Sequence, residues 1–406
     1  MESLNTRSFT SLETFWSKYL PIAFLLIQYA GFAKLTVCFD YCLVYSVICL
    51  FKFRNKQTCK PLLVYTAYFF GYTVFCVVFY HLHIVNWFYV ILYRYSISIL
   101  AVIIMSQHLD REALYKTWKW VAIVVGLAVI YQTLQIFVLH QQVSTIQLIP
   151  GQTGGQLEDV WSRDINRPVA FFTEPSMVIA FLAPILFLSL QKKETKFSIF
   201  ITICMALSLS TSGLIVIAIL WGVYLYNSDI SKGLKIRYVF IALLGVVAFF
   251  TLPVFKSSVD KLFFELSGDS GNAFGRLYSG WYVYANLDRT SQLFGIPDYD
   301  YNSFIRQNAV VLAEFVSQTR MENDEMSFFF NTAQHIFLRT GLIGAILYGA
   351  LVLYLFKNTD KKVRPYLCCV VAMMFFEFNY FCHNTFIMQY IIILSFLNTN
   401  YSDYEH

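Results

Sequence analysis

The chain has 406 residues, 57% of them hydrophobic and 14% charged, where a soluble domain carries roughly 25% charged residues. A mean hydropathy of +0.56, with 40 Phe, 28 Tyr and 7 Trp, exceeds what one water-soluble core can bury, which excludes a soluble globular domain, a disordered chain and a secreted disulfide scaffold. A formal charge of +5 is too small for a nucleic-acid partner, so the composition predicts an integral membrane protein whose second solvent is the lipid bilayer.

A helix crossing the hydrocarbon needs about 20 mostly apolar residues. Twelve runs of that kind follow one another: Tyr19 to Ala33, Leu35 to Phe51, Pro61 to Tyr80, Ile84 to Met105, Trp118 to Leu139, Val169 to Leu190, Phe197 to Leu209, Gly213 to Tyr226, Tyr238 to Phe255, Ala333 to Phe356, Tyr366 to Phe381 and Phe386 to Leu397. Between the seventh and eighth, Ser208-Leu-Ser-Thr-Ser-Gly213 is either a tight turn or a kink in one helix, and the turn is preferred. Met1 to Lys18 is polar and no small-residue cleavage site follows the first span, so insertion by the spans themselves is expected rather than by a cleaved leader. The expected fold is an all-α polytopic membrane protein, a single transmembrane domain over 1–406.

Cytoplasmic loops carry an excess of Lys and Arg, and here basic and neutral loops alternate. Lys52 to Lys60, Arg111 to Lys119, Lys192 to Lys196, Lys232 to Arg237 and Lys357 to Arg364 are basic; His81 to His83, Ser210 to Ser212 and Cys382 to Asn384 hold no Lys or Arg. Both termini are therefore expected in the cytoplasm, and a turn at Ser210 to Ser212 keeps the alternation in phase. Two long loops then fall on the outer side, over 141–168 and, between spans nine and ten, over 256–332. Within the second, Phe304, Asn308, Val311, Leu312 and Phe315 recur at helical spacing.

The nine cysteines avoid both long loops and form no Cys-x-x-Cys pair, and no His-Glu-x-x-His occurs. No metal and no cofactor are expected. No Gly-x-x-x-x-Gly-Lys-Ser/Thr loop offers ATP as an energy source.

Polar groups retained by so apolar a chain are the candidates for chemistry. Where the first long loop meets the sixth span, the chain reads Trp161-Ser-Arg163-Asp-Ile-Asn-Arg167-Pro-Val-Ala-Phe-Phe-Thr-Glu174-Pro-Ser176. Pro175 pushes Glu174 out of helical geometry and so marks the helix start there. Glu174 either complements the helix dipole or faces a substrate, and a mere cap does not need Arg163 and Arg167. In the large loop, Ser267-Gly-Asp-Ser-Gly-Asn-Ala-Phe-Gly275-Arg276 precedes Trp281. Exposed amides beside an arginine suit an anion, and a solvated glycine-rich loop is the plainer alternative. Arg289 before Gly295-Ile-Pro-Asp-Tyr-Asp300 is either part of a turn or a further cation for substrate. At the head of the tenth span, His335 and Arg339 stand four apart and share a helix face. Arg339 either snorkels to the interface or meets a partner, and His335 is either a satisfied polar residue or a catalyst. Gly341, Gly344 and Ala345 suit close helix packing. Arg94, in mid-span, suits a structural ion pair or a substrate path equally.

In this order the motifs resemble the O-antigen polymerase and O-antigen ligase superfamily, the Wzy class of bacterial polysaccharide polymerases. The resemblance rests on Arg167-Pro-Val-Ala-Phe-Phe-Thr-Glu174-Pro-Ser176, the Leu-Ser-Thr-Ser-Gly213 break, Gly275-Arg276 with Trp281, and His335 six residues before Gly341. The chain departs from the family at Thr211 and Ser212, where an arginine is frequent, and at Ile336 after His335, where an asparagine is common. The resemblance implies a GT-C-like fold of about twelve helices. It also implies metal-independent glycosyl transfer on the outer face of the bacterial cytoplasmic membrane, from an undecaprenyl-diphosphate-linked oligosaccharide to a sugar hydroxyl of another lipid-linked unit. It makes a chain-length regulator a possible partner. On this expectation Arg276 and Arg167 hold the diphosphate, Arg163, Arg289 and Arg339 support it, and His335 or Glu174 is the base. A ligase is the nearest alternative, and a flippase or transporter of the same lipid-linked sugar is the alternative of another class. Against the transporter, the two halves show no internal repeat and no matching pair of broken helices.

Overall fold

The computed structural model of the protein describes residues 11–29, 31, 36–50, 59–79, 95–149, 167–227, 280–296, 331–375 and 384–397, with scattered positions between 231 and 259. These residues are mostly helical and contain no strand. In chain order the helices are α1 (Ser11–Leu25), α2 (Val37–Leu50), α3 (Lys60–Phe79), α4 (Ser96–Ile104), α5 (Arg111–Phe137), α6 (Pro175–Gln191), α7 (Thr195–Leu207), α8 (Thr211–Asn227), α9 (Gly280–Ala285), α10 (Arg289–Phe294), α11 (Thr332–Asn358), α12 (Arg364–Met373) and α13 (Asn384–Ser395). The chain divides into two compact units, Met1–Thr58 with Ile97–Gly213 and Asn384–His406, and Cys59–Ser96 with Leu214–His383.

In the first unit α5 is the axis, packed by α1, α6 and α7. Asp110 starts it by accepting the amides of Glu112 and Ala113, both at 3.1 Å, which satisfies two of the donors a helix N-terminus leaves unpaired. Its 27 residues span about 40 Å at 1.5 Å per residue, more than the ~30 Å hydrocarbon thickness. One face buries Trp118, Ala122, Val125, Val129 and Gln132, and Gly126 lets α7 approach, since a Cβ there would lie 2.8 Å from Cys204 Sγ. The other face exposes Trp120, Val124, Leu127, Tyr131, Leu134 and Val138 at alternating spacings of four and three. A soluble core helix buries its apolar residues; this stripe is the surface expected of a helix whose solvent is lipid. Helix α6 is apolar all round and buried from Val178 to Leu190, the centre of the unit, with α13 and α7 against it.

Among the described residues two helices, α5 and α11, are long and apolar enough to cross a membrane, and several others are apolar but shorter. The expected ninth span lies outside the described residues, apart from isolated positions, as does the first half of the fourth. Between the seventh and eighth spans the chain breaks into two helices: α7 stops at Leu207, Leu209 takes a left-handed φ of 57°, and α8 begins at Thr211. The first span is displaced. Its helix runs over Ser11–Leu25 instead of starting at Tyr19, because Glu13 and Ser17 are buried against partners far along the chain. Glu13 pairs with His108 Nδ1 at 2.6 Å, Ser17 Oγ accepts the Asp110 amide at 2.8 Å and Thr14 donates to Asp110 at 2.9 Å. Three polar side chains satisfied in this way extend the helix eight residues into sequence that reads as a polar leader.

In the second unit α11 is the axis, with α3, α9 and α10 packed on it. Tyr65 of α3 meets Tyr348 edge to face at 5.3 Å, and Gly344 lets the Tyr68 ring close in, 3.1 Å from where a Cβ would stand.

Candidate functional site

The heads of two buried helices carry the candidate residues, one in each unit. In the first, residues 167–174 lead into α6. Glu174 has φ −136° and ψ 147°, the extended geometry imposed on a residue before proline, and the helix starts at Pro175. Pro175 has no N–H, and Glu174 makes no capping bond to the helix; its exposed carboxylate accepts the Ser176 hydroxyl at 3.0 Å. No hydrogen bond from the Glu174 side chain caps the helix, and its exposed carboxylate stands at the N-terminus, where it also complements the helix dipole. Arg167 begins the segment, half-buried.

The backbone between these two charges is fixed at several points. Gln132 of α5 accepts the amides of Val169 at 2.8 Å and Ala170 at 2.7 Å, and donates to the Ser144 carbonyl at 2.8 Å. Ala170 has a left-handed φ of 50°, and its carbonyl accepts the Ile146 amide at 2.8 Å. Thr145 Oγ1 donates to the Phe172 carbonyl at 2.9 Å, and Gln28 Nε2 to Thr173 Oγ1 at 2.7 Å. Beneath them Phe172, Phe181 and Trp118 pack in sequence as tilted ring pairs with centroids 5.5 and 5.7 Å apart.

In the second unit Asn331 caps α11 through a reciprocal pair: its side chain accepts the Gln334 amide at 2.9 Å, and Gln334 Oε1 accepts the Asn331 amide at 3.2 Å. Asn331 Nδ2 also donates to the Phe375 carbonyl and Ala333 N to that of Met374, which ties the helix head to the end of α12. His335 is buried at 8% exposure, and Arg339, one turn on, donates from Nη1 to the Tyr95 hydroxyl at 2.7 Å. This arginine therefore meets a protein partner, which the sequence did not identify.

Helix α11 is broken two residues later. Gly341 has φ 63° and ψ −169°, and a Cβ there would overlap the Leu293 carbonyl. The carbonyls freed by the break find other donors, Leu338 O taking the Ile296 amide at 2.7 Å and Thr340 O the Tyr68 hydroxyl at 2.9 Å. Gly295, at φ 91°, makes the reciprocal approach to Arg339, and its carbonyl accepts from Tyr72. The end of α10 is thereby seated in the break. Before it, Thr332 to Gly341 is buried at all but Phe337 and Arg339; after it, Leu342, Ile346 and Leu353 are exposed on one face. Arg289, the first residue of α10, is exposed beside its cap Asp288, whose carboxylate the Ser291 hydroxyl and the amides of Ser291 and Thr290 hold below the usual carboxylate range.

Of the expected site residues, Arg167 and Glu174 belong to the first unit and Arg289, His335 and Arg339 to the second; Arg163, Arg276 and Arg94 lie outside the described residues, as do Gly275 and Phe304 to Phe315. The structure seats His335 and Arg339 on the same buried helix head, and holds Arg167 and Glu174 on one braced segment. Sequence reasoning missed Gln132 and Tyr95, because their partners stand 37 and 244 positions away. Among the described residues no group of three or more His, Cys, Asp and Glu could hold a metal ion. Comparison with known proteins finds no family model that matches the chain and no curated protein that does.

Proposed function

We propose that the protein is a membrane-embedded glycosyltransferase, a polysaccharide polymerase acting on undecaprenyl-diphosphate-linked oligosaccharide at the outer face of a bacterial cytoplasmic membrane. About twelve spans with both termini cytoplasmic, a GT-C-like arrangement, belong to this reading. They rest on the alternation of basic loops, and the lipid-facing stripe of α5 supports them.

The observation that carries the reading is the braced segment 167–174, which keeps a guanidinium and an exposed carboxylate seven positions apart at the head of a buried helix. Such a pair suits displacement of a lipid diphosphate. The acceptor hydroxyl oxygen bonds to the donor's anomeric carbon, the bond from that carbon to the diphosphate breaks with its electron pair leaving on the diphosphate, and the carboxylate takes the hydroxyl proton. A guanidinium of the same stretch, Arg167 and by expectation Arg163 with it, neutralises the leaving group in place of a divalent ion. Exposure favours Glu174 over the buried His335 as the proton acceptor.

The test is polymer length from purified protein in liposomes supplied with lipid-linked repeat units. Wild type yields a ladder, and Arg167→Ala reduces its rate about 100- to 1,000-fold, the loss typical of one preorganised stabiliser of developing charge. Lipid-linked sugar carried across the bilayer with no new glycosidic bond identifies a flippase instead, and transfer only to a different acceptor identifies a ligase.

A further inference from the structure

Gln132 lies in an apolar helix and is 1% exposed, an unfavourable place for an amide unless every group on it is used. They are used in an unusual pattern. Two successive backbone amides, Val169 and Ala170, converge on the single oxygen Oε1, and the left-handed φ of Ala170 redirects the chain that follows them. Consecutive amides arranged in this way form a concavity that ordinarily receives an anion. Here a neutral side-chain carbonyl fills it, while the same side chain's Nε2 fastens Ser144 in the preceding loop. Gln132 therefore joins three stretches of chain, α5, the 144–149 strap and the 167–174 segment. The strap in turn holds the segment through Ile146 and Thr145, and is itself held where Tyr29 Oη accepts the Leu148 amide at 2.6 Å.

We propose that Gln132 is a positioning residue for the anionic, diphosphate-bearing substrate. By occupying the paired amides of Val169 and Ala170 it fixes the backbone two residues after Arg167 and four before Glu174, so that the guanidinium and the carboxylate meet the substrate without reordering. The proposal rests on the polymerase reading for its substrate, and on the geometry alone for its mechanics. Preorganisation of this kind acts on rate, because misplacing a reacting group by about 1 Å costs on the order of 100-fold.

The experiment compares wild type, Gln132→Leu and Gln132→Glu as full-length protein in lipid nanodiscs, reading amide hydrogen exchange over residues 167–173, polymer turnover, and binding of undecaprenyl diphosphate itself. Gln132→Leu removes the acceptor and speeds exchange at Val169 and Ala170 at least about 100-fold, and kcat falls by about 100-fold while KM rises less than about tenfold. Gln132→Glu keeps an acceptor for both amides and loses only the bond to Ser144, so it retains their protection and most of the rate. A role confined to stability would lower the yield of folded protein and leave kcat per folded molecule unchanged. Protection retained in Gln132→Leu overturns the proposal, as does protection lost with kcat unchanged. Should Gln132→Leu fail to fold, Gln28→Ala, which releases Thr173, joins Gln132→Glu in the same comparison. If wild type makes no polymer the polymerase reading falls by itself. Binding of undecaprenyl diphosphate then decides about Gln132: weakening of about fivefold or more beside lost protection supports it, and unchanged binding overturns it.

Discussion

The heads of α6 and α11 both open a buried helix, and they satisfy their backbone donors in different ways. At α6 the donors of the incoming backbone are satisfied from outside, by Gln132 of another helix, and the residue in the cap position is left exposed as a carboxylate. At α11 they are satisfied from within, by Asn331 and Gln334 of the helix itself, and the polar residue that follows, His335, is buried. A helix that caps itself commits its cap residue to its own backbone. One that borrows its acceptor from a neighbour keeps its own cap residue for another use. Under the proposed function, this difference favours Glu174 over His335 as the group that meets the acceptor.

The comparison breaks most completely at Gly341. Its φ of 63° and the Leu293 carbonyl against it leave no room for a side chain, so Gly341→Val combines a backbone conformation costing about 1–3 kcal/mol with a steric overlap. Loss of the folded monomer in detergent chromatography is the expected result. Gly349→Ala is the control, because nothing lies within 4 Å of its Cβ position, and it leaves stability unchanged or raises it by up to about 1 kcal/mol. If Gly341→Val folds and melts like wild type, the break in α11 is not what seats α10. The next test exchanges the two heads' titratable groups. Glu174→Gln removes a proton acceptor from an exposed position, so it keeps the wild-type melting temperature and lowers turnover about 100- to 10,000-fold. His335→Ala empties a buried position and lowers the melting temperature. The reverse result, a stable but inactive His335→Ala with an active Glu174→Gln, would move the base to α11.

Much of this architecture is legible in the sequence wherever the signal is local. Pro175 announces the start of α6 through its effect on Glu174, and the run Ser208-Leu-Ser announces the break after α7 because it interrupts an apolar period with residues that bond their own backbone. What stays hidden depends on partners distant in sequence. Glu13 and Ser17 read as a polar leader until His108 and Asp110 are placed beside them. Gly341 reads as a packing glycine, yet its use is a positive φ that lets the end of α10 approach, and only the Gly295 side of the contact reveals it. Gln132 carries no signal at all, since one glutamine near the end of an apolar helix is unremarkable until two amides 37 and 38 positions on converge on it.

Two smaller effects sharpen the picture of the α11 head. Tyr95→Phe removes the oxygen that Arg339 Nη1 bonds and keeps the ring that packs on Phe69 at 4.8 Å, so the loss isolates the hydrogen bond. Losing one hydrogen bond from a half-buried guanidinium costs about 1–3 kcal/mol, which a thermal melt in detergent detects. An unchanged melt would mean that water replaces the hydroxyl and that Arg339 is wetter than its half-buried position indicates.

The smallest expected effect is on pH dependence, and it concerns how α10 stays seated in the break. Asp288 caps α10 through Ser291 and Thr290, and those bonds lower its pKa below the ordinary carboxylate value. A group whose folded pKa is lowered stabilises the folded state above its unfolded pKa, and that contribution disappears as pH falls through the folded pKa. Neutral and mildly acidic solutions therefore leave the cap intact, and protonation weakens it only below the normal carboxylate range. Amide exchange in 289–296 should then accelerate in strong acid for wild type, while Asp288→Asn, which retains an acceptor without a charge to titrate, should show a flatter profile over the same range. Equal profiles for the two proteins would remove Asp288 from the seating of α10 and leave Gly295 and Gly341 to hold it alone.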